Sequence, residues 1–142
     1  MKLHISITDL EKLTNSGKVK LREWWTPEGG DLWTLEDNIP NGSSYLLQFL
    51  NPHFMDIFLK NEGMLPLLSI GQLIQYLDEY SNKDWRIDTE HHDDPINCKD
   101  HLGLIEYSVH WANDKGQIGN VAENKELCDA LFEAVKDILN KP

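Results

Sequence analysis

Apolar and polar residues alternate strictly over residues 104–111, with Ile105, Tyr107, Val109 and Trp111 on one face and Glu106, Ser108 and His110 on the other. A period of two is the mark of a strand with one covered face, so a β-strand is predicted here. Asn113, Asp114, Lys115 and Gly116 predict a turn, and residues 117–121 a short returning strand. The period then changes. Leu127, Ala130, Leu131, Ala134, Val135, Ile138 and Leu139 follow the i, i+3, i+4, i+7 rule and predict an amphipathic C-terminal helix, with Leu131 and Val135 central in its buried stripe. A further helix is predicted from Ser69 to about Tyr80. Ser69 and Gln72 have capping-box spacing, and Ile70, Leu73, Ile74 and Leu77 recur at helical spacing. Its end carries Asp78 and Glu79, the wrong sign for a helix C-terminus by roughly a few tenths of a kcal/mol.

Nearer the start, Thr8 and Glu11 have the spacing of a capping box and predict a short first helix. Ser16 is placed to cap a second over residues 17–25, with Val19, Leu21 and Trp25 apolar and Lys18, Lys20 and Arg22 projecting elsewhere. Pro27, Gly29 and Gly30 end it. Residues 31–35 alternate like a short strand, Asn41-Gly42 signals a turn, and residues 45–50 suit a buried strand, although so short an apolar run also fits a helix. The elements together predict an α+β fold: a small antiparallel sheet packed by two amphipathic helices, with an N-terminal helical pair closing one edge.

Composition sets the scale. The chain has 142 residues, 40% of them apolar, with five Trp, which suits one domain over residues 1–142. The longest apolar run, residues 64–68, falls far short of the roughly 20 residues of a bilayer span. The first nine residues lack the apolar stretch of a secretory signal, and two cysteines, Cys98 and Cys128, are too few for a disulfide framework. The expected location is the cytoplasm, with no membrane partner and no disulfide; Cys128 reads as a small helix residue.

Charge changes the picture more. The net charge is −11, from 24 acids against 13 Lys and Arg. Residues 1–22 carry five bases and two acids, whereas residues 23–82 carry nine acids and a single base, Lys60. Such a field repels nucleic acid and anionic lipid and steers basic protein surfaces toward it. The same charge also serves plain solubility. The acids placed to form a partner-binding surface are Asp31, Glu36, Asp37, Asp78, Glu79, Asp88, Glu90, Asp93 and Asp94. Trp24 is the candidate aromatic anchor. Two adjacent tryptophans lie about 100° apart on a helix, so Trp24 and Trp25 are both deeply buried only if that helix is covered on two sides.

The richest set of potential metal ligands is His91, His92, Cys98 and His101, in a stretch from Glu90 that Pro95 marks as a loop. Structural zinc sites use two ligand pairs at regular spacing, and a catalytic helix motif separates its histidines by four residues; neither pattern is present. Adjacent residues of extended chain point in opposite directions, which sets His91 and His92 against sharing an ion. A polar, solvated loop accounts for the same residues. No Gly-x-Ser-x-Gly elbow and no phosphate-binding glycine loop occurs, and Cys98 stands among acids that suppress its thiolate. Gly116 and Gly119 have the spacing of an RNA-clamping loop, but only Lys115 beside them is positive. No motif implies a cofactor, an enzymatic activity or direct nucleic-acid binding.

Three segments carry a resemblance: residues 20–25 (KLREWW) with Pro27, residues 65–74 (LPLLSIGQLI) and residues 126–135 (ELCDALFEAV). They resemble small uncharacterised acidic proteins encoded by phages and prophages of low-GC Gram-positive bacteria. That likeness covers about a quarter of the chain and implies a setting, the host cytoplasm, without a chemistry.

The leading functional expectation is a non-enzymatic, phage-type accessory or inhibitor protein. It would bind a basic, nucleic-acid-binding surface of a host protein, such as a defence nuclease, by acidic mimicry of nucleic acid. Alternatives are a binder of a small molecule or nucleotide signal, and a metal-dependent enzyme built on residues 90–101. The partner's identity and the oligomeric state are not encoded in these patterns. Because the apolar stripes account for a core without that loop, folding is expected to need no metal. Thermal melts with and without chelator should superimpose; a fall of more than about 5 °C, on the order of 1 kcal/mol, would contradict this.

Overall fold

The computed structural model describes residues 1–39, 42–46, 63–81, 84–92, 104–112 and 118–142. Its class is α+β. Among the described residues it has α1 (Ile7–Leu10), α2 (Asn15–Trp24), β1 (Leu32–Leu35), a 3-10 turn (Glu36–Asn38), β2 (Tyr45–Leu46), β3 (Met64–Pro66), α3 (Ile70–Tyr80), β4 (Asp84–His92), β5 (Leu104–Ala112), β6 (Ile118–Asn124) and α4 (Leu127–Leu139). The strands form two antiparallel sheets, β2-β1-β3 and β4-β5-β6, where the sequence had suggested one. β1 is central in the first sheet, so both of its edges are already paired, and among the described residues β4, β5 and β6 form a separate sheet. The described chain divides into two compact units: residues 4–69 with 136–142, and residues 1–3 with 70–135.

In the first unit the expected helix starts each move two residues upstream. Ser6, not Thr8, caps α1, and the box closes with Asp9: Ser6 N–H donates to the Asp9 carboxylate at 2.8 Å and Asp9 N–H to Ser6 Oγ at 3.3 Å. Asp9 is 5% exposed and also accepts from Lys12 Nζ at 3.1 Å, so this buried carboxylate is well supplied with donors. Thr14, not Ser16, caps α2, its hydroxyl accepting from Gly17 N–H at 3.0 Å. The reason lies at the other end of the chain. Asn140 Oδ1 accepts from Thr14 N–H at 2.9 Å, its Nδ2 donates to the Lys12 carbonyl at 3.1 Å, and a Cβ on Gly17 would stand 2.6 Å from that same Oδ1. A side chain at Gly17 would have to displace the Asn140 amide from this clamp.

With α2 beginning at Asn15, its buried line runs through Gly17 and Leu21, and Val19, expected inside, is 46% exposed. α2 ends at Trp24. Trp25 is already extended (φ −68°, ψ 122°), so the 100° helical separation does not apply and both indoles turn inward: Trp25 is buried against Met64, and Trp24, Trp33 and Leu35 pack around that pair. A turn from Glu28 to Asp31 follows, with Gly30 at φ +97°, the left-handed conformation that favours glycine. β1 then pairs with β3 through Trp33 and Pro66, Thr34 and Leu65, and Leu35 and Met64. Arg22 covers β3 from α2, donating from Nε to the Met64 carbonyl at 3.2 Å and forming an ion pair with Glu36.

The second unit holds α3, the β4-β5-β6 meander and α4 as far as Val135. α3 buries Leu73, Tyr76 and Leu77. The returning strand β6 runs through Asn124, three residues beyond the expected end, and pairs with β5 through Val109 and Ala122. β6 carries one extra residue, Val121, opposite the Val109–His110 step, which is a bulge. Along α4, Leu131 and Val135 are fully buried as expected; so are Cys128 and Phe132, whereas Leu127 and Ile138 are only partly covered. The buried arc is therefore wider than the stripe and rotated toward Cys128. Lys2 fixes the first turn of α4, its N–H donating to Glu126 at 3.1 Å and its ammonium pairing with Asp129.

Leu131 is wholly enclosed, so truncation removes methylenes and leaves a cavity. Leu131→Ala should cost about 2–5 kcal/mol in chemical denaturation. A variant that unfolds with the wild type would mean that the face of α4 is misassigned.

Candidate functional site

Charge is divided unequally between the two units. The unit of residues 1–3 and 70–135 has fourteen acids against six Lys and Arg, a net of −8; the other has ten against seven, a net of −3. The first unit uses several of its acids internally. Asp31 accepts from the Trp25 indole at 2.8 Å and from Glu28 N–H at 3.0 Å, and so shapes the turn before β1. Glu36 is paired with Arg22. Asp37 stays exposed on the 3-10 turn. Trp24, the expected anchor, is partly buried and packs on the Trp25–Met64 cluster, so its position serves the core.

In the second unit the acids line α3 and the sheet. Asp78 and Glu79 are both exposed at the end of α3. Asp78 accepts from the Trp85 indole at 2.9 Å, which gives the wrong-sign residue a use: it ties the start of β4 to α3. Glu79 accepts from Gln75 one helical turn back at 2.9 Å. Tyr76 is buried beneath them and stacks on Tyr80, with ring centroids 4.6 Å apart. Burial pushes the Tyr76 hydroxyl up to about 12, helped by the neighbouring Tyr80 and by the negative charge of Glu79.

The register of the sheet defines its polar face. Arg86 stands opposite His110, and Asp88 opposite Ser108, which in turn faces Glu123 on β6. On the other face, Trp85 pairs with Trp111 and Ile87 with Val109. Asp84, Arg86, Asp88 and Glu123 are exposed, while Ser108 beneath them is 2% exposed. The polar side of β5 is thus closed to solvent at Ser108, between exposed residues of both neighbouring strands.

At this position the fold assembles a serine, a histidine and an acid that sequence spacing did not reveal. Ser108 Oγ hydrogen-bonds His110 Nε2, and Asp88 Oδ2 lies 3.2 Å from the same nitrogen. A catalytic relay needs serine and acid on opposite ring nitrogens. Here Nδ1 is buried with no hydrogen-bond partner among the described residues, and Ser108 is closed to solvent. The cluster is a packed polar seam, with one orphaned ring nitrogen costing about 1–3 kcal/mol. The signal that could have suggested it is the i, i+2 spacing of Ser108 and His110 on a strand; Asp88 comes from the register alone.

Glu90, His91 and His92, expected in a loop, are the last residues of β4 and pair with Glu106, Ile105 and Leu104. Strand pairing with β5 continues past the point where Pro95 suggested irregular chain. Asp93, Asp94, Cys98 and His101 lie outside the described residues. Among the described residues no group of three His, Cys, Asp or Glu side chains is placed to hold a metal ion, and no helix is long and apolar enough to cross a membrane. No family model, no curated protein and no solved structure matches this chain.

The Tyr76 hydroxyl gives the second unit a titration of its own. Its folded value, about 12, lies above the ordinary 10, so its contribution to stability is intact below pH 10 and is lost as the pH rises to 12. The loss should be about 2–3 kcal/mol, and Tyr76→Phe should remove that part of the slope. Denaturant midpoints from pH 9 to 12 check it; identical slopes for both proteins would refute the assignment.

Proposed function

We propose that this protein acts by binding, without turnover of its own, to a basic surface on another protein, one that otherwise holds nucleic acid, and that its carboxylates occupy the places of phosphates. The observation that supports this most directly is the net charge of −8, against −3 in the other unit, carried by the unit of residues 1–3 and 70–135. Among its described residues, Asp78, Glu79, Asp84, Asp88 and Glu123 are exposed, against Arg86 and Lys125. A rigid three-stranded sheet holds Asp88 and Glu123 two strands apart, about 10 Å, and so fixes the spacing of charge as a flexible acidic tail could not.

Crowded carboxylates repel one another, and a partner surface of Lys and Arg relieves that repulsion while counterions leave both sides. The field also raises the encounter rate before any contact forms. The resemblance to phage-encoded acidic proteins supplies a setting, the cytoplasm of an infected bacterium, and a partner class, a nucleic-acid-binding protein of the host such as a defence nuclease.

The partner is to be retrieved from host lysate on immobilised protein, identified by mass spectrometry and purified. Its association rate should then fall steeply between about 50 and 300 mM salt. Nucleic acid should compete, and Glu79→Lys with Glu123→Lys should slow association several-fold at unchanged melting temperature. A rate flat with salt and indifferent to both reversals would overturn the proposal.

A further inference from the structure

We infer that the outer edge of β4 is a docking strand, which takes an extended segment of the basic partner as a fourth strand of the second sheet in a register set by the order of charges along β4. The inference rests on the proposed function and names the part of the surface that does the binding.

Strand edges expose backbone donors and acceptors and pair readily unless something blunts them. The other described edges are blunted. β3 is three residues long, wholly buried, contains Pro66, and gives its Met64 carbonyl to Arg22. β2 has two described residues. β6 carries the Val121 bulge, which bends an edge away from straight pairing. β4 has none of these devices. It runs nine residues, lies at the end of the order β4-β5-β6, and pairs on its outer side with no strand among the described residues. Asp84, Arg86, Asp88 and Thr89 are exposed and Trp85 and Ile87 half-buried, so none of these six side chains is enclosed.

What β4 does carry is a charge sequence. Over residues 84–88, Asp84, Arg86 and Asp88 alternate along the polar face as minus, plus, minus, with a further acid, Glu90, next at the same spacing. The complement is plus, minus, plus, the same in either strand direction. Between the charges, Trp85 and Ile87 turn to the apolar face, where a β-branched residue of an added strand would pack beside each. A second copy of this chain is opposed by the overall field, two units that each carry −8, and by local order when β4 pairs about Arg86, although pairing about Ile87 would set Arg86 opposite Asp88. A basic partner segment meets both the local order and the overall field. Backbone hydrogen bonds would then hold the segment and the side chains choose its register.

The probe is an end-capped heptapeptide, Thr-Lys-Val-Glu-Val-Lys-Thr, added to the isotope-labelled full chain at about 1 mM, where weak strand pairing is visible by NMR. Amide shifts and slowed hydrogen exchange should appear along β4. The same residues with the charges in the order plus, plus, minus should bind about fivefold more weakly. Arg86→Glu separates register from general attraction. It makes the chain more negative, yet it should weaken the plus, minus, plus peptide and strengthen one with three lysines. The inference is overturned by equal affinity for the two orders, by a gain of the first peptide on Arg86→Glu, by no change along β4, or by β4 protection that grows with protein concentration alone. Failure here with salt-steep binding of the basic partner retained would leave the proposed function standing and remove only the docking strand.

Discussion

A carboxylate drawn out of water must be given donors, and in a chain of net charge −11 this requirement shapes much of the structure. Asp9 is taken inside with the Ser6 backbone, the Ser6 hydroxyl and Lys12 around it. Asp31 organises the turn ahead of β1 by holding the Trp25 indole, and Glu36 draws Arg22 across β3. These acids behave as parts of the scaffold. Their partners come from residues 6–25.

The second unit has no comparable supply. Lys2 is held at the start of α4, and the exposed cations left among its described residues are Arg86 and Lys125. Its net charge of −8 therefore sums to a field, carried at the surface by Asp78, Glu79, Asp84, Asp88 and Glu123. The sheet gives that field a geometry, since the pleat turns alternate residues of β4 to one side and the register sets Asp88, Ser108 and Glu123 in a row. Asp78 belongs to both descriptions: exposed and negative, it also accepts the Trp85 indole and couples the end of α3 to the edge strand.

Hydrophobic burial underlies each unit in a different manner. The first is built around large side chains from non-consecutive segments, with Trp25 and Met64 at the centre and Trp24, Trp33 and Leu35 around them. The second relies on the wide buried arc of α4 and on the Leu73, Tyr76 and Leu77 row of α3. Such an arc encloses Cys128 as well, a free thiol with no exposed surface.

The sequence by itself determined the α+β class, α3 from Ile70 to Tyr80, β1, β5, and the burial of Leu131 and Val135, because these depend on periods carried by neighbouring residues. It also located the acidic character, since charge is a sum over residues. Tertiary structure alone decided the rest. Thr8 and Ser16 are as able to cap a helix as Ser6 and Thr14, and the choice at α2 follows from Asn140, more than a hundred residues away. Trp24 could have been an anchor, but the helix stops beside it and folds both indoles inward. The division into two sheets and the meeting of Asp88 with His110 depend on strand pairing. Pairing brings together residues that share no local period, and a one-residue change of register would reverse every face it defines.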